Sequence, residues 1–238
     1  SSADYSYRRL NGYLQGTHTQ YDEDMLEDDT YNLMRYIFRT GEKWGKNRSG
    51  IPVPEGIIGY GFLKKMGDNW NTYLRSLIWD CKFTHGRQFD FGRALKLQGR
   101  DYVLRSSQST AIKEHSGQLS AYINFTNRLS IDQSDNFAKK VGNIEGWTGN
   151  VVLFDLAALV RLYYLMKRHY EALDKRRSQL YERLTQLFKT TVEDKHYSLI
   201  DEPAIRAMVQ EVLVQSEDIP QLDYEATFLY LEADKVNL

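Results

Sequence analysis

Period-two alternation over residues 119–128, a helix-start signature at Ser130 and Gln133, and an apolar helical period from Val151 predict an α+β, mostly helical chain. Together these place a ribbon-helix-helix-like dimerising unit at residues 119–168, embedded in a larger helical domain. In LSAYINFTNR, Leu119, Ala121, Ile123 and Phe125 share one parity, and Ser120, Tyr122, Asn124, Thr126 and Arg128 share the other. A strand so patterned buries one face and offers hydrogen-bonding groups on the other. Ser130 and Gln133 have capping-box spacing, Phe137 and Val141 lie four apart, and Gly142 is a stop, which predicts a helix over residues 131–142. After a turn at residues 146–150, Val152, Leu156, Leu159, Val160 and Tyr163 recur at helical spacing and predict a second, longer helix.

The other elements follow in chain order. The acidic run YDEDMLEDD leads into a helix around residues 29–40, and KNRSGIPVPEG is a loop rich in Gly, Pro and small polar residues. Residues 57–79 carry Phe62, Leu63, Met66, Trp70, Leu74, Leu77 and Ile78 in a helical pattern with a break at Gly67 and Asp68. ALKLQ and DYVLRS, separated by Gly99, Arg100 and Asp101, read as a hairpin. Beyond the 119–168 unit, Leu173, Leu180, Leu184, Leu187 and Phe188 continue a helical pattern over residues 170–188, either as one long helix or with a break near Asp174. Pro203 opens a helix over residues 202–214, and a last one covers residues 224–233.

A net charge of −1 conceals unlike regions. Residues 1–29 carry two basic and seven acidic side chains and residues 191–238 three and eleven, which leaves 26 basic against 14 acidic, a net +12, for residues 30–190. The chain therefore divides into an acidic N-terminal segment, a basic core domain and an acidic C-terminal helical segment. Basic groups cluster at Arg35, Arg39, Lys43, Lys46 and Arg48, and again from Lys167 to Arg183, the kind of surface that supplies the phosphate-binding term of nucleic-acid affinity. A content of 42% hydrophobic and 13% aromatic residues excludes a disordered chain. The single cysteine, Cys81, excludes an internal disulfide framework and favours a reducing compartment. The most apolar run, VVLFDLAALVRLYYLM, is interrupted by Asp155 and Arg161, and no signal peptide is visible. The expectation is a soluble, cytoplasmic protein with no membrane partner.

Catalytic patterns are scarce. His18, His85, His115, His169 and His196 have no ligand spacing, so no metal or other cofactor is expected. GIIGYG departs from the dinucleotide and phosphate-loop fingerprints, and Asp90-Phe91-Gly92 stands without the other kinase motifs. Cys81 with His85 four residues later reads more simply as a small core residue. No enzyme is expected. A nuclease would suit the basic middle, but no acidic or metal cluster is identifiable.

The ribbon supplies the sites. Asn124, Thr126 and Arg128, with Tyr122 beside them, are the expected base contacts, because an antiparallel two-stranded ribbon fits the major groove and these side chains discriminate base edges. Thr148 and Asn150 at the start of the second helix, with Lys43, Lys46 and Arg48, are the expected phosphate contacts. The hairpin at residues 94–106, with Lys96, Arg100 and Arg105, is the alternative ribbon.

FRTGEKWGK, GIIGYGFLKKM and DNWNTYL, followed about eighty residues on by GNVVLFDLAALVR and then His169, resemble in their order the integrating-conjugative-element protein family that includes the AcaB activator. The resemblance spans roughly residues 30–180. It implies a ribbon-helix-helix transcriptional activator of conjugative transfer genes on large plasmids. The combined expectation is a homodimeric regulator of double-stranded DNA with RNA polymerase as a further partner. The alternative is a scaffold protein of a mobile element, whose basic helix docks on an acidic partner.

Overall fold

In the computed structural model, which describes residues 2–45, 53–84, 89–127, 131–215 and 217–228, six strands form one mixed sheet. They are β1 Glu42–Lys43, β2 Gly56–Met66, β3 Asn69–Cys81, β4 Gln118–Thr126, β5 Asn150–Asp155 and β6 Tyr197–Ile200, and they lie side by side in chain order. The first three pair antiparallel, and β3 to β6 run parallel. The helices are α1 Ser2–Leu14, α2 Glu23–Phe38, α3 Arg93–Gln108, α4 Thr110–Ser116, α5 Ile131–Gly142, α6 Leu156–Arg168, α7 Tyr170–Asp174, α8 Arg177–Lys189, α9 Glu202–Leu213 and α10 Tyr224–Thr227. This α/β arrangement replaces the expected ribbon-helix-helix unit. Among the described residues no helix is long and apolar enough to cross a membrane.

The parallel half dictates a core on each face, as crossover helices require. On one face, Leu26, Leu33, Met34 and Ile37 of α2, Leu159 and Leu162 of α6, and Leu180 and Leu184 of α8 meet Ile58, Leu77, Ile123 and Val152. On the other, Val103 of α3 and Phe137 and Val141 of α5 meet Ile57, Ile78, Tyr122 and Leu153. α1 is tied to α2 by Arg9, which donates to the buried Asp29 carboxylate at 2.8 and 3.0 Å, with the Tyr21 hydroxyl as a third donor at 2.8 Å. The acidic run that precedes residue 29 opens α2: Asp22 accepts from Met25 N–H at 2.8 Å and caps it.

The predicted ribbon, β4, is a strand, but an interior one. It lies between β3 and β5, so neither edge is free to pair with a second chain. Its residues from Leu119 to Thr126 are all buried, Tyr122 at 1% exposure and Asn124 and Thr126 at 0%, so none of these three side chains can reach a groove. Arg128 and the Ser130 cap lie outside the described residues. The predicted second helix starts five residues late. Residues 151–154 form a strand buried on both faces, and Asp155 then caps α6 by accepting from Ala157 N–H at 3.1 Å. A short continuous apolar run fits a buried parallel strand as well as a helix.

Two further segments exchange their predicted types. Residues 57–79 form the β2–β3 hairpin, with Met66 opposite Asn69 across the two-residue Gly67-Asp68 turn, Gly67 at φ +63. Residues 94–106, the alternative ribbon, belong to α3. There Gly99 marks a close approach of helix and sheet, since a Cβ would lie 3.1 Å from Val141 Cγ2 and 3.2 Å from Tyr122 Cε2. Gly99→Val is expected to overpack this contact and lower the unfolding free energy by about 2 kcal/mol. A urea denaturation midpoint equal to that of the wild type would refute the close approach.

Candidate functional site

At the open end of the β2–β3 hairpin, Gly56 stands opposite Trp79, so Glu55, one residue before β2, faces Asp80, one residue before the end of β3. The Glu55 N–H donates to Trp79 O at 3.0 Å and to Asp80 Oδ1 at 3.1 Å, which fixes the two residues together. Lys82 follows at i+2 from Asp80, hence on the same face of the strand, with its Nζ 3.7 Å from Asp80 Oδ2. Its N–H continues the ladder to Phe125 O at 2.8 Å, and its ammonium lies 6.0 Å from the centre of the Phe89 ring. The Tyr122 hydroxyl on β4 donates to the other Asp80 oxygen. Glu27, 5% exposed on α2, brings a third carboxyl group to Glu55.

Burial and like charge dominate the electrostatics. Glu55 is pushed up to about 8, first by burial and then by the Glu27 and Asp80 charges and a hydrogen bond with Glu27, with Lys43 opposing. Its Oε2 is buried with no hydrogen-bond partner among the described residues. Burial also raises the Tyr122 hydroxyl, reinforced by the Asp80 charge it donates to, so this phenol stays protonated and serves as a fixed donor. Asn124, opposite Asp80 in the next strand, is fully buried beside the Tyr122 hydroxyl, and among the described residues neither of its amide atoms meets a partner in good hydrogen-bond geometry. Among the described residues no group of three or more His, Cys, Asp or Glu side chains is placed to hold a metal ion by itself. Glu55 and Asp80 bring two carboxyl groups to the hairpin mouth, with Glu27 behind them and an ammonium alongside, and both Asp80 oxygens already accept hydrogen bonds. That set suits a hard divalent cation, which keeps waters and takes only one or two protein carboxylates when substrate oxygens complete its shell.

The same end of the sheet carries a cleft. β3 to β6 are parallel and β2 antiparallel to them, so Glu55, Lys82, Asn127, Asp155 and Asp201 all mark one edge, the edge at which open α/β sheets place ligands. Beyond β4 and β5 a cavity of about 510 Å³ opens between α1 and α6, with Tyr7, Asn11, Asn127, Arg161 and Tyr164 in its walls.

The predicted contacts are dispersed over the molecule. Thr148 is exposed in the loop before β5, and Asn150 donates its amide to Phe188 O at 3.0 Å; neither caps a helix, because α6 begins only at Leu156. Lys43 pairs with Asp28 beside Glu55, while Lys46 and Arg48 lie outside the described residues. On α3, Lys96 and Arg100 are half-buried and Arg105 pairs with Asp101 at 3.3 Å. Cys81 is buried with its thiol pushed well up by desolvation, the opposite of an activated nucleophile. The carboxylate pair and Lys82 are missing from the expected site. Read as a continuous helix, residues 55–80 would hold the two carboxylates about 38 Å apart; only the hairpin joins them. The available signal was Pro54-Glu55 before one β-rich run and Asp80-Cys81-Lys82 at the close of the next.

Comparison with known protein families, with curated proteins and with solved structures finds no match to this chain.

Because Glu55 binds a proton in the fold that the unfolded chain releases, stability from this group is complete below the ordinary carboxylate range and declines as pH rises toward about 8. In chelator, the wild-type urea midpoint should therefore fall between pH 5 and pH 8 more steeply than that of Glu55→Gln. Parallel slopes for the two proteins would contradict the assignment.

Proposed function

We propose that this chain is a divalent-cation-dependent phosphodiesterase that acts on nucleic acid. The observation that carries the reading is the face-to-face placement of Glu55 and Asp80 at the hairpin mouth, with Lys82 on the same strand face. Glu55, half-buried beside Glu27 and the buried Asp80, holds its proton more tightly than an ordinary carboxyl group, first through desolvation and then through like charge, and a cation would offset the like charge. Glu55 and Asp80 would hold the ion, and Glu27 would support Glu55. When bound, such an ion neutralises phosphoryl oxygens and supplies a water of lowered pKa.

The remaining work belongs to the chain. Tyr122 and the Glu55 N–H anchor Asp80 through one oxygen each, which fixes its carboxylate plane. The Lys82 ammonium, tethered beside Asp80, stands where it can donate to a phosphate oxygen or align the attacking water, positions in which a fixed positive charge favours the transition state. The basic middle of the chain supplies the affinity for a polyanion. DNA binding enters here as substrate binding, without a ribbon. Control of conjugative transfer genes has the family resemblance as its only support.

Incubation with labelled single- and double-stranded oligonucleotides should give cleavage in Mg²⁺ or Mn²⁺ and none in chelator. Glu55→Gln, Asp80→Asn and Lys82→Ala should each lower the rate by about 100-fold or more while circular dichroism stays unchanged. Cleavage that persists in chelator, or that survives all three substitutions, overturns the reading.

A further inference from the structure

We infer that the cleft between α1 and α6 receives an unstacked nucleotide that flanks the cleaved phosphate, so that the preferred substrate is single-stranded. The inference rests on the phosphodiesterase reading for the position of the cleaved bond. Its own basis is the chemistry of the cleft and the place of the cleft in the sheet.

Position comes first. Lys82 hydrogen-bonds Phe125 on β4, and Asn127 in the cleft wall stands just past the end of that strand. Adjacent strands lie about 4.8 Å apart, so the cleft begins one strand away along the same edge, but on the α1–α6 face, whereas Asp80 and Lys82 lie on the face that α3 and α5 cover; a strand that crosses the edge reaches both. α1 spans the interval. Its Tyr13 hydroxyl donates to Thr84 O, two residues past Lys82, at 3.2 Å, and its Tyr7 and Asn11 line the cleft.

The chemistry suits a base better than a second phosphate. Tyr164 is one of the few large rings left open, at 36% exposure, and the Arg161 guanidinium lies 5.5 Å from its ring centre. The Arg161 Nε is held at 3.3 Å by Glu202, which Arg206 also meets at 3.1 Å. Both acidic groups in the wall are thus engaged, Glu202 by two arginines and Asp155 by the first turn of α6. Arg161 against Asp155 and Glu202 leaves the lining with a net negative charge, which disfavours a second phosphate, although Arg168 reaches the Tyr164 hydroxyl at 3.2 Å from outside it. What the cleft offers is an aromatic face with a guanidinium over it and two side-chain amides, Asn11 and Asn127, able to meet both donors and acceptors of a base edge. A cavity of about 510 Å³ accommodates one nucleoside. A base can enter only out of the stack, which a single strand permits at little cost.

Fluorescence anisotropy with a short fluorescein-labelled single strand, in chelator so that nothing is cleaved, tests the cleft apart from the chemistry. The wild type should bind the strand more tightly than a blunt duplex of equal length. Tyr164→Ala should weaken strand binding about tenfold, the scale of one lost stack. Tyr164→Phe should restore it. Tyr164→Ala binding that equals the wild type, or tighter binding of the duplex, overturns the inference, as does a mononucleotide that competes as well as the strand. If cleavage fails while this pattern of binding holds, the phosphodiesterase reading falls; if cleavage holds while Tyr164→Ala is neutral, the cleft assignment alone falls.

Discussion

The pairing of β2 with β3 is the constraint on which the C-terminal edge of this sheet depends. Eleven opposed positions, from Gly56 with Trp79 to Met66 with Asn69, fix where each strand ends relative to the other. Side chains in a strand alternate between faces, so a slip of one residue would send Asp80 and Lys82 into the core that holds Trp79 and Cys81, and would strand those apolar groups on the opposite side. The hydrophobic pattern on both faces therefore protects the polar geometry at the mouth. Neither carboxylate needs a dedicated loop to position it.

That geometry is kept against its own electrostatics. Glu27, Glu55 and Asp80 share a largely dehydrated volume, and relief inside the chain is partial: Lys43 moderates Glu55, Tyr122 donates to Asp80, and Lys82 stands beside it. Packing supplies the remainder. α2 is capped by Asp22 and pinned by Arg9 to Asp29, which holds Glu27 in place, while α3 and α5 close the other face over Tyr122. Groups poised for chemistry commonly sit in such locally unfavourable surroundings, stabilised by the rest of the fold.

Much of the helical layer was legible in the sequence and much of the sheet was not. α5, the helical run that holds α8, and α9 with Pro203 in its first turn follow from local signals, caps, stops and a 3.6-residue period, whereas the break between α7 and α8 near Asp174 is one of two readings the sequence allows. β4 is visible as a strand through its alternation. Its burial on both faces is not, because Tyr122, Asn124 and Thr126 read as a solvated face until β3 and β5 are known to flank it. The β2–β3 run was misread because its apolar residues satisfy both periods over short windows, and the Gly67-Asp68 turn looks like a helix break as readily as a hairpin. α3 was misread for the converse reason, since Gly99 serves packing against Tyr122 and Val141 rather than a turn. The site was lost with the hairpin, for its two carboxylates lie on opposite strands and become neighbours only through pairing.

Ser120 gives this architecture a further meaning. β4 carries one residue more than β3 across the Ser76/Leu77 step, and Ser120 occupies it, with its hydroxyl shared between Ser76 O and the Tyr60 phenol. Leu119 faces the α3–α5 side, whereas Ala121, Ile123 and Phe125 face the other. The bulge thus acts as a half-period phase shifter. It lets the start of the strand obey one packing requirement and its end another, so that Tyr122 and Asn124 arrive beside Asp80 instead of in the α6–α8 layer. One serine, near the other end of β4, sets which way the carboxylate-bearing end of the sheet looks.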